Sequence, residues 1–174
     1  MVPVEIHKRS WSPLFLSLAL VVADQLSKFW IVAHVPIYYR TGFTIEVIGD
    51  FFRIIHARNL GIAFSIGYNF PEIARRILFI SLPAIVVLVL MVMLFRTDEF
   101  RGAQRWCVAA IIGGGVGNLI DRIFRVDGVV DFLDFKFYGL FGMERWPTFN
   151  VADSSTVVGG ILLILLMAFE KERT

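Results

Sequence analysis

Long apolar segments dominate the pattern of this chain. Each of four windows carries at most two charged side chains: 12–33, 77–95, 106–124 and 151–169. An α-helix of roughly 20 apolar residues spans the hydrocarbon core of a bilayer, and it satisfies its own backbone hydrogen bonds there. The pattern therefore predicts one integral membrane domain over residues 1–174, with four transmembrane helices.

The two longer connections, about 34–76 and 125–150, contain residue patterns that predict β-strands. Residues 41–47 and 51–56 are rich in β-branched and aromatic side chains and flank Gly49-Asp50, which predicts a hairpin. Residues 133–138 alternate between apolar and polar side chains, as strands do. We expect a small sheet at the outer membrane surface.

The composition excludes several classes of soluble protein. Apolar residues make up 57% of the chain and charged residues 18%, against roughly 45–50% and about 25% in an average globular protein. This excess is incompatible with a disordered chain, and the net charge of +2 does not indicate a polyanionic partner. Cys107 is the single cysteine, so no intramolecular disulfide can form.

The basic residues predict the orientation of the chain. Those that flank the spans most densely lie before the first span, between the second and third, and after the fourth: Lys8, Arg9, Arg96, Arg101, Arg105, Lys171 and Arg173. Because short basic segments beside span ends stay in the cytoplasm, we expect both termini there and the two long connections outside.

Charged side chains within lipid are costly and indicate functional positions. The windows contain Asp24, Lys28, Asp121, Arg122 and Asp153. Asp24 and Lys28 share a helix face in the order that favours an ion pair. The pair either braces the bundle as a self-neutralised unit or takes part in chemistry, and the residues alone leave both interpretations open.

A glycine-rich block in the third window combines packing and polar signals. Gly113 and Gly117 form a surface that lets another helix approach closely. Asn118 and Asp121 lie three residues apart on one helix face. They either bond to a neighbouring span or position a reactive group.

Two further carboxylates are predicted to meet at one membrane level. Asp131 follows the third window, and Asp153 lies two residues into the fourth. Close carboxylates tend to share a proton, so one can act as a base on water while the other polarises a carbonyl group. A simpler interpretation is that Asp153 caps the fourth helix.

Two other classes of function compete with hydrolysis of a carbonyl compound by paired carboxylates. A transporter could relay protons through Asp24, Asp121 and Asp153, although the chain shows no internal repeat. A metal-dependent lipid-headgroup enzyme could bind Mg²⁺ through Asp127 and Asp131.

Five sequence blocks in order resemble the lipoprotein signal peptidase (signal peptidase II) family of bacterial inner-membrane aspartic proteases. The blocks are DQLSK at 24–28, NLGIAFS at 59–65, the glycine-rich block ending in Asn118 and Asp121-Arg122, VDF at 130–132, and FNVADS at 149–154. Together they extend from the first window to the fourth, so the resemblance covers nearly the whole chain.

The resemblance implies a fold, an activity and a set of site residues. It implies four transmembrane helices with an extracytoplasmic β-cradle and a surface helix, and cleavage of prolipoproteins before a diacylglyceryl-modified cysteine. No metal or organic cofactor is implied, the protein would act as a monomer in the lipid membrane, and globomycin-type peptides would inhibit it. The catalytic dyad falls on Asp131 and Asp153. The supporting positions are Asp24, Lys28, Asn59, Asn118, Asp121, Arg122 and Asn150.

Two features of the outer connections bear on this assignment. The segment between Asp121 and Asp131 is slightly longer than is typical of the family, which makes Asp127 and Asp134 competitors for the dyad position. Asp131 is preferred because it follows Val129-Val130 and precedes Phe132. Residues 62–70 and 139–147 combine glycines with large apolar side chains, which is typical of movable flaps and equally of static interfacial anchors.

Overall fold

The computed structural model describes residues 11–61, 71–96 and 99–171. Its helices are α1 (Ser12–His34), α2 (Tyr38–Thr41), α3 (Glu72–Arg96), α4 (Ala103–Phe124) and α5 (Val151–Lys171), and its strands are β1 (Ile45–Ile48), β2 (Phe52–Asn59) and β3 (Val129–Phe135). Within these ranges four helices are long and apolar enough to cross a membrane. The four predicted transmembrane helices are confirmed as α1, α3, α4 and α5.

Helix α4 lies at the centre of the bundle and contacts α1, α3 and α5. Its glycines allow α1 to approach closely. A Cβ atom on Gly113 would lie 3.0 Å from the carbonyl oxygen of Ser17, and one on Gly117 would lie 2.7 Å from Oδ2 of Asp24. The predicted packing role of these two glycines is confirmed.

We expect Gly117→Ala to destabilise the bundle because the added methyl group would contact both Asp24 and Ala152. Overpacking of this kind typically costs about 1–3 kcal/mol of unfolding free energy. Gly160→Ala is the matched control, since nothing lies within 4 Å of its Cβ position. Thermal unfolding in detergent micelles measures the midpoint temperature of both variants. If Gly117→Ala and Gly160→Ala unfold at the same temperature, the close approach of α1 at Gly117 does not contribute to stability.

The strands form an antiparallel sheet in the order β1-β2-β3. Residues 145–149, which we call the return segment, run antiparallel to β3, with bridges from Leu133 to Phe149 and from Lys136 to Arg145. The sheet packs against the end of α1, where Ile31 and Val35 form a buried cluster with β3. This contact places the middle of β3 beside the ends of the transmembrane helices.

The predicted boundaries were wrong for all three strands. Strand β2 runs from Phe52 to Asn59, whereas we predicted 51–56. Strand β1 begins at Ile45 rather than at residue 41, because residues 38–41 form a helical turn that ends at Gly42 with φ of +67°. Strand β3 begins at Val129 and ends at Phe135, whereas we predicted 133–138. Val129 and Val130 pair with the end of β2, so Asp131 lies within a strand. The proposed flap at 62–70 lies outside the described residues.

Candidate active site

Asp131 and Asp153 come from different elements and share one neighbour, Asn150. Asp131 lies in β3 with 3% of its surface exposed, and Asp153 lies in the first turn of α5. The side-chain amide of Asn150 donates to Oδ1 of Asp131 at 2.7 Å, and its backbone N–H donates to Oδ2 of Asp153 at 3.2 Å. Asn150 thus holds both carboxylates in one site.

The N-terminus of α5 is capped from within and from α1. Oδ1 of Asn150 accepts from the backbone N–H of Asp153 at 2.9 Å, so the two residues form a reciprocal capping box. The backbone N–H of Ala152 donates to Oδ1 of Asp24 at 2.9 Å. The interpretation of Asp153 as a helix cap is confirmed, and the same cap directs its carboxylate towards the site.

Two asparagines supply the remaining donors to the carboxylates. Asn59 donates to Oδ2 of Asp131 at 3.0 Å, and Asn118 donates to Oδ1 of Asp153 at 2.7 Å. With the two donors from Asn150, every carboxylate oxygen of Asp131 and Asp153 accepts a hydrogen bond. Such a set of donors fixes both side chains in position.

The environment of Asp131 favours its protonated form. Burial raises the pKa of Asp131 to about 7, and the nearby charge of Asp153 contributes to the increase. The hydrogen bonds from Asn59 and Asn150 and the charge of Lys28 act in the opposite direction on this pKa. Asp131 therefore holds a proton at a higher pH than an exposed aspartate does.

Lys28 connects the transmembrane acids to this site. Its ammonium group is fully buried and lies 2.8 Å from Asp24 and 3.2 Å from Asp121. It also donates to Oδ1 of Asn118 at 2.9 Å, which turns the Asn118 amide nitrogen towards Asp153. The predicted ion pair between Asp24 and Lys28 is confirmed, and it belongs to a larger network.

Asp121 and Arg122 differ in what they contact. Asp121 accepts from the backbone N–H of Val130 at 3.0 Å and from Nε of Arg125 at 3.0 Å, which ties the end of α4 to β3. The guanidinium group of Arg122 lies over the ring of Phe79, 5.6 Å from its centroid. Asp121 therefore bonds to a neighbouring span and to the sheet, and Arg122 stacks on α3.

The structure separates Asp131 from the two acids that compete with it in sequence. Asp127 is exposed, whereas Asp134 is buried between Arg53 and Arg145. Residues 131 and 134 lie on opposite faces of β3 because side chains alternate along a strand. Among these three acids, Asp131 shares Asn150 with Asp153.

Sequence reasoning missed several partners in and around the site. Gln25 donates to both Asp24 and Asp121, at 3.1 and 3.2 Å. Arg53 and Arg145 both bind Asp134, and no motif in the sequence indicates this contact. The alternation of side chains along β3 could have shown that Asp134 does not belong to the site, since it places Asp134 on the face away from Asp131.

Comparisons with known proteins agree on one family. The family model described as "Signal peptidase (SPase) II" matches residues 16–169. The chain is 46% identical over 160 residues to a lipoprotein signal peptidase of Treponema pallidum (strain Nichols), covering 92% of this chain and 84% of the relative. It is 43% identical over 162 residues to the same enzyme of Borrelia duttonii (strain Ly), covering 92% and 91%.

A solved structure of a bacterial membrane enzyme shares the fold of this chain. The chain superposes with a TM-score of 0.79 and 27% identity on a bacterial membrane enzyme determined by the in meso method at 2.3 Å resolution. The match covers 94% of this chain and 91% of that one. Since the family model and these relatives cover most of the chain, this protein belongs to the signal peptidase II family.

Proposed function

We propose that this protein cleaves the signal peptide from bacterial prolipoproteins, on the N-terminal side of a cysteine that carries diacylglycerol, and that Asp131 and Asp153 perform the hydrolysis. The observation that carries the proposal is the sharing of Asn150 by these two carboxylates. Family membership and the relatives named lipoprotein signal peptidase support the choice of substrate.

The two carboxylates take different roles in this mechanism. Each carboxylate accepts two N–H donors, but Asp153 also stands in the first turn of α5, where the helix N-terminus favours a negative charge. Asp131 lies in a strand without a helix N-terminus, and burial raises its pKa, so we assign the proton to Asp131. Asp153 therefore acts as the base on water, and Asp131 donates a hydrogen bond to the carbonyl oxygen of the scissile amide.

Hydrolysis proceeds in two steps, addition of water and collapse of a tetrahedral intermediate. The water oxygen bonds to the carbonyl carbon as its proton passes to Asp153, and the proton of Asp131 passes to the carbonyl oxygen. The tetrahedral intermediate then collapses: the C–N bond breaks, the leaving nitrogen takes the proton from Asp153, and Asp131 recovers its proton. The products are a signal peptide with a free carboxylate and a lipidated cysteine with a free amine.

The position of the dyad suits a substrate held by its lipid in the membrane. Asp153 stands at the end of a transmembrane helix, and Asp131 stands in a sheet packed against the end of another. A signal helix lying in the bilayer would place its lipidated cysteine at this level. The proposal sets the sheet on the extracytoplasmic side of the inner membrane, with both termini in the cytoplasm and the enzyme acting as a monomer.

The rate should fall as the pH rises above about 7, because Asp131 then loses the proton it must donate. Asn59→Ala removes a hydrogen bond that lowers the pKa of Asp131, so this decline should move to higher pH. The charged groups that act on Asp131 include Asp153 of α5, Lys28 of α1 and Arg122 of α4. The pH profile of kcat/KM on a lipidated prolipoprotein measures the shift, and a decline that stays in place or moves to lower pH would contradict the role of Asp131.

The proposed function is tested by comparing two substrates. The purified protein is incubated in detergent with a diacylglyceryl-modified prolipoprotein and with the same chain lacking the lipid. We expect cleavage of the lipidated form alone, and inhibition by globomycin. Equal cleavage of both forms would overturn the lipid requirement, and no cleavage of either would overturn the function.

A further inference from the structure

An ion triad centred on a buried carboxylate lies on the face of the sheet opposite Asp131. Asp134 is 2% exposed and accepts from Arg53 at 3.0 Å through Nε and 2.8 Å through Nη2. Its other oxygen accepts from Nε of Arg145 at 2.7 Å. We call these three residues, Arg53, Asp134 and Arg145, the clasp.

The clasp joins three separate segments of the chain. Arg53 lies in β2, Asp134 in β3 and Arg145 in the return segment. Arg145 also reaches the turn between β1 and β2, where Nη1 and Nη2 donate to Oδ1 and to the backbone oxygen of Asp50 at 2.9 and 3.0 Å. One planar guanidinium group thus fixes three donors on two neighbouring segments.

The return segment leads directly into the catalytic cap. It bonds to β3 through the Trp146 N–H and the Phe149 N–H, which donate to the carbonyl oxygens of Phe135 and Leu133 at 2.9 and 3.2 Å. Asn150 follows immediately and starts α5. Because a slip of one residue along a strand reverses every side chain, the register of this segment decides where Asn150 and Asp153 stand relative to Asp131.

We propose that the clasp is a positioning device for the dyad: by holding Arg145 on Asp134, it fixes the return segment on β3 and so keeps Asn150 and Asp153 against Asp131. This inference rests on the proposed function. The members of the clasp touch neither aspartate of the dyad and act through the backbone of the two segments that carry them. Loosening the clasp lets the return segment move, so that Asp131 gains water and loses the nearby charge of Asp153.

The test uses Arg145→Lys and Arg145→Met, with Glu144→Gln as the matched control. Lysine keeps a positive charge beside Asp134, so that variant should fold, but a single ammonium cannot reproduce the three donors of arginine. Glu144 precedes Arg145, and its side chain is 70% exposed and lies 3.5 Å from Nζ of Lys136. Two readouts are taken on folded protein: kcat on a lipidated prolipoprotein, and the pKa of Asp131 from NMR titration of ¹³C-labelled aspartate carboxyl groups.

We expect kcat to fall about tenfold in both Arg145 variants, since small misplacements of catalytic groups are costly, and to stay unchanged in Glu144→Gln. The carboxyl titration of Asp131 should move about one pH unit towards its ordinary range. A clasp that only stabilises the fold would leave this titration in place, and that result would overturn the inference. If the wild-type protein does not cleave the substrate, the proposed function fails, while the titration still decides the role of the clasp.

Discussion

Replacement of Asp131 or Asp153 by asparagine should lower the rate of prolipoprotein cleavage by at least about 10²-fold, the usual cost of losing a catalytic acid or base. Asparagine keeps the volume of aspartate and one of its two acceptor oxygens, so the side chain still fits and the backbone cap on Asn150 is retained, while one N–H donor at each site loses its acceptor. It cannot take a proton from water or deliver one to the carbonyl oxygen. Initial rates on a lipidated prolipoprotein measure the loss, with folding checked by circular dichroism.

The double variant should be scarcely less active than either single variant, because members of one catalytic unit are not additive. Asp127→Asn is the matched control, since Asp127 is exposed and lies four residues from Asp131. It should keep wild-type activity. A single dyad variant with more than about a tenth of the wild-type rate would remove that residue from the mechanism.

Lys28→Met should destabilise the bundle more than any other single change in the transmembrane network. It leaves Asp24 and Asp121 without the ammonium group that both contact, at 2.8 and 3.2 Å. Removal of one partner from a buried ion pair typically costs about 3–5 kcal/mol. The free energy of unfolding in mixed micelles with increasing denaturing detergent measures the loss.

Asp24→Ala provides the comparison for this variant. Lys28 then keeps Asp121 and Asn118 as partners, so the loss of stability should be smaller than for Lys28→Met. If Lys28→Met unfolds like the wild type and is nevertheless inactive, the network serves the chemistry rather than the stability of the bundle.

The amino-acid sequence was sufficient to predict the transmembrane helices and the proximity of Asp131 and Asp153. Apolar windows predict transmembrane helices well because a helix satisfies its own backbone hydrogen bonds, and unpaired backbone groups are too costly in lipid. Asp153 at the start of an apolar window and Asp131 just beyond another were expected at one membrane level, and both now bond to Asn150.

Features that depend on pairing between distant segments could not be predicted. The two valines before Asp131 are compatible with a helix end and with a strand. They form part of β3 because they pair with Arg58 and Asn59 of β2. The direction of the Asn118 amide follows from Lys28 on another helix.

The clasp was missed for the same reason. Nothing in the local pattern brings Arg53 and Arg145 to one carboxylate, because they lie far apart along the chain and meet only in the folded sheet.

The most direct test of the central claim is mass spectrometry of both products after the wild-type protein has acted on a diacylglyceryl-modified prolipoprotein in ¹⁸O-labelled water. The mechanism predicts a lipidated fragment that begins at cysteine with a free amine. It also predicts one ¹⁸O atom in the new carboxylate of the signal peptide, because water is the nucleophile. An intact substrate, a cut at another bond or a carboxylate without ¹⁸O would contradict the account.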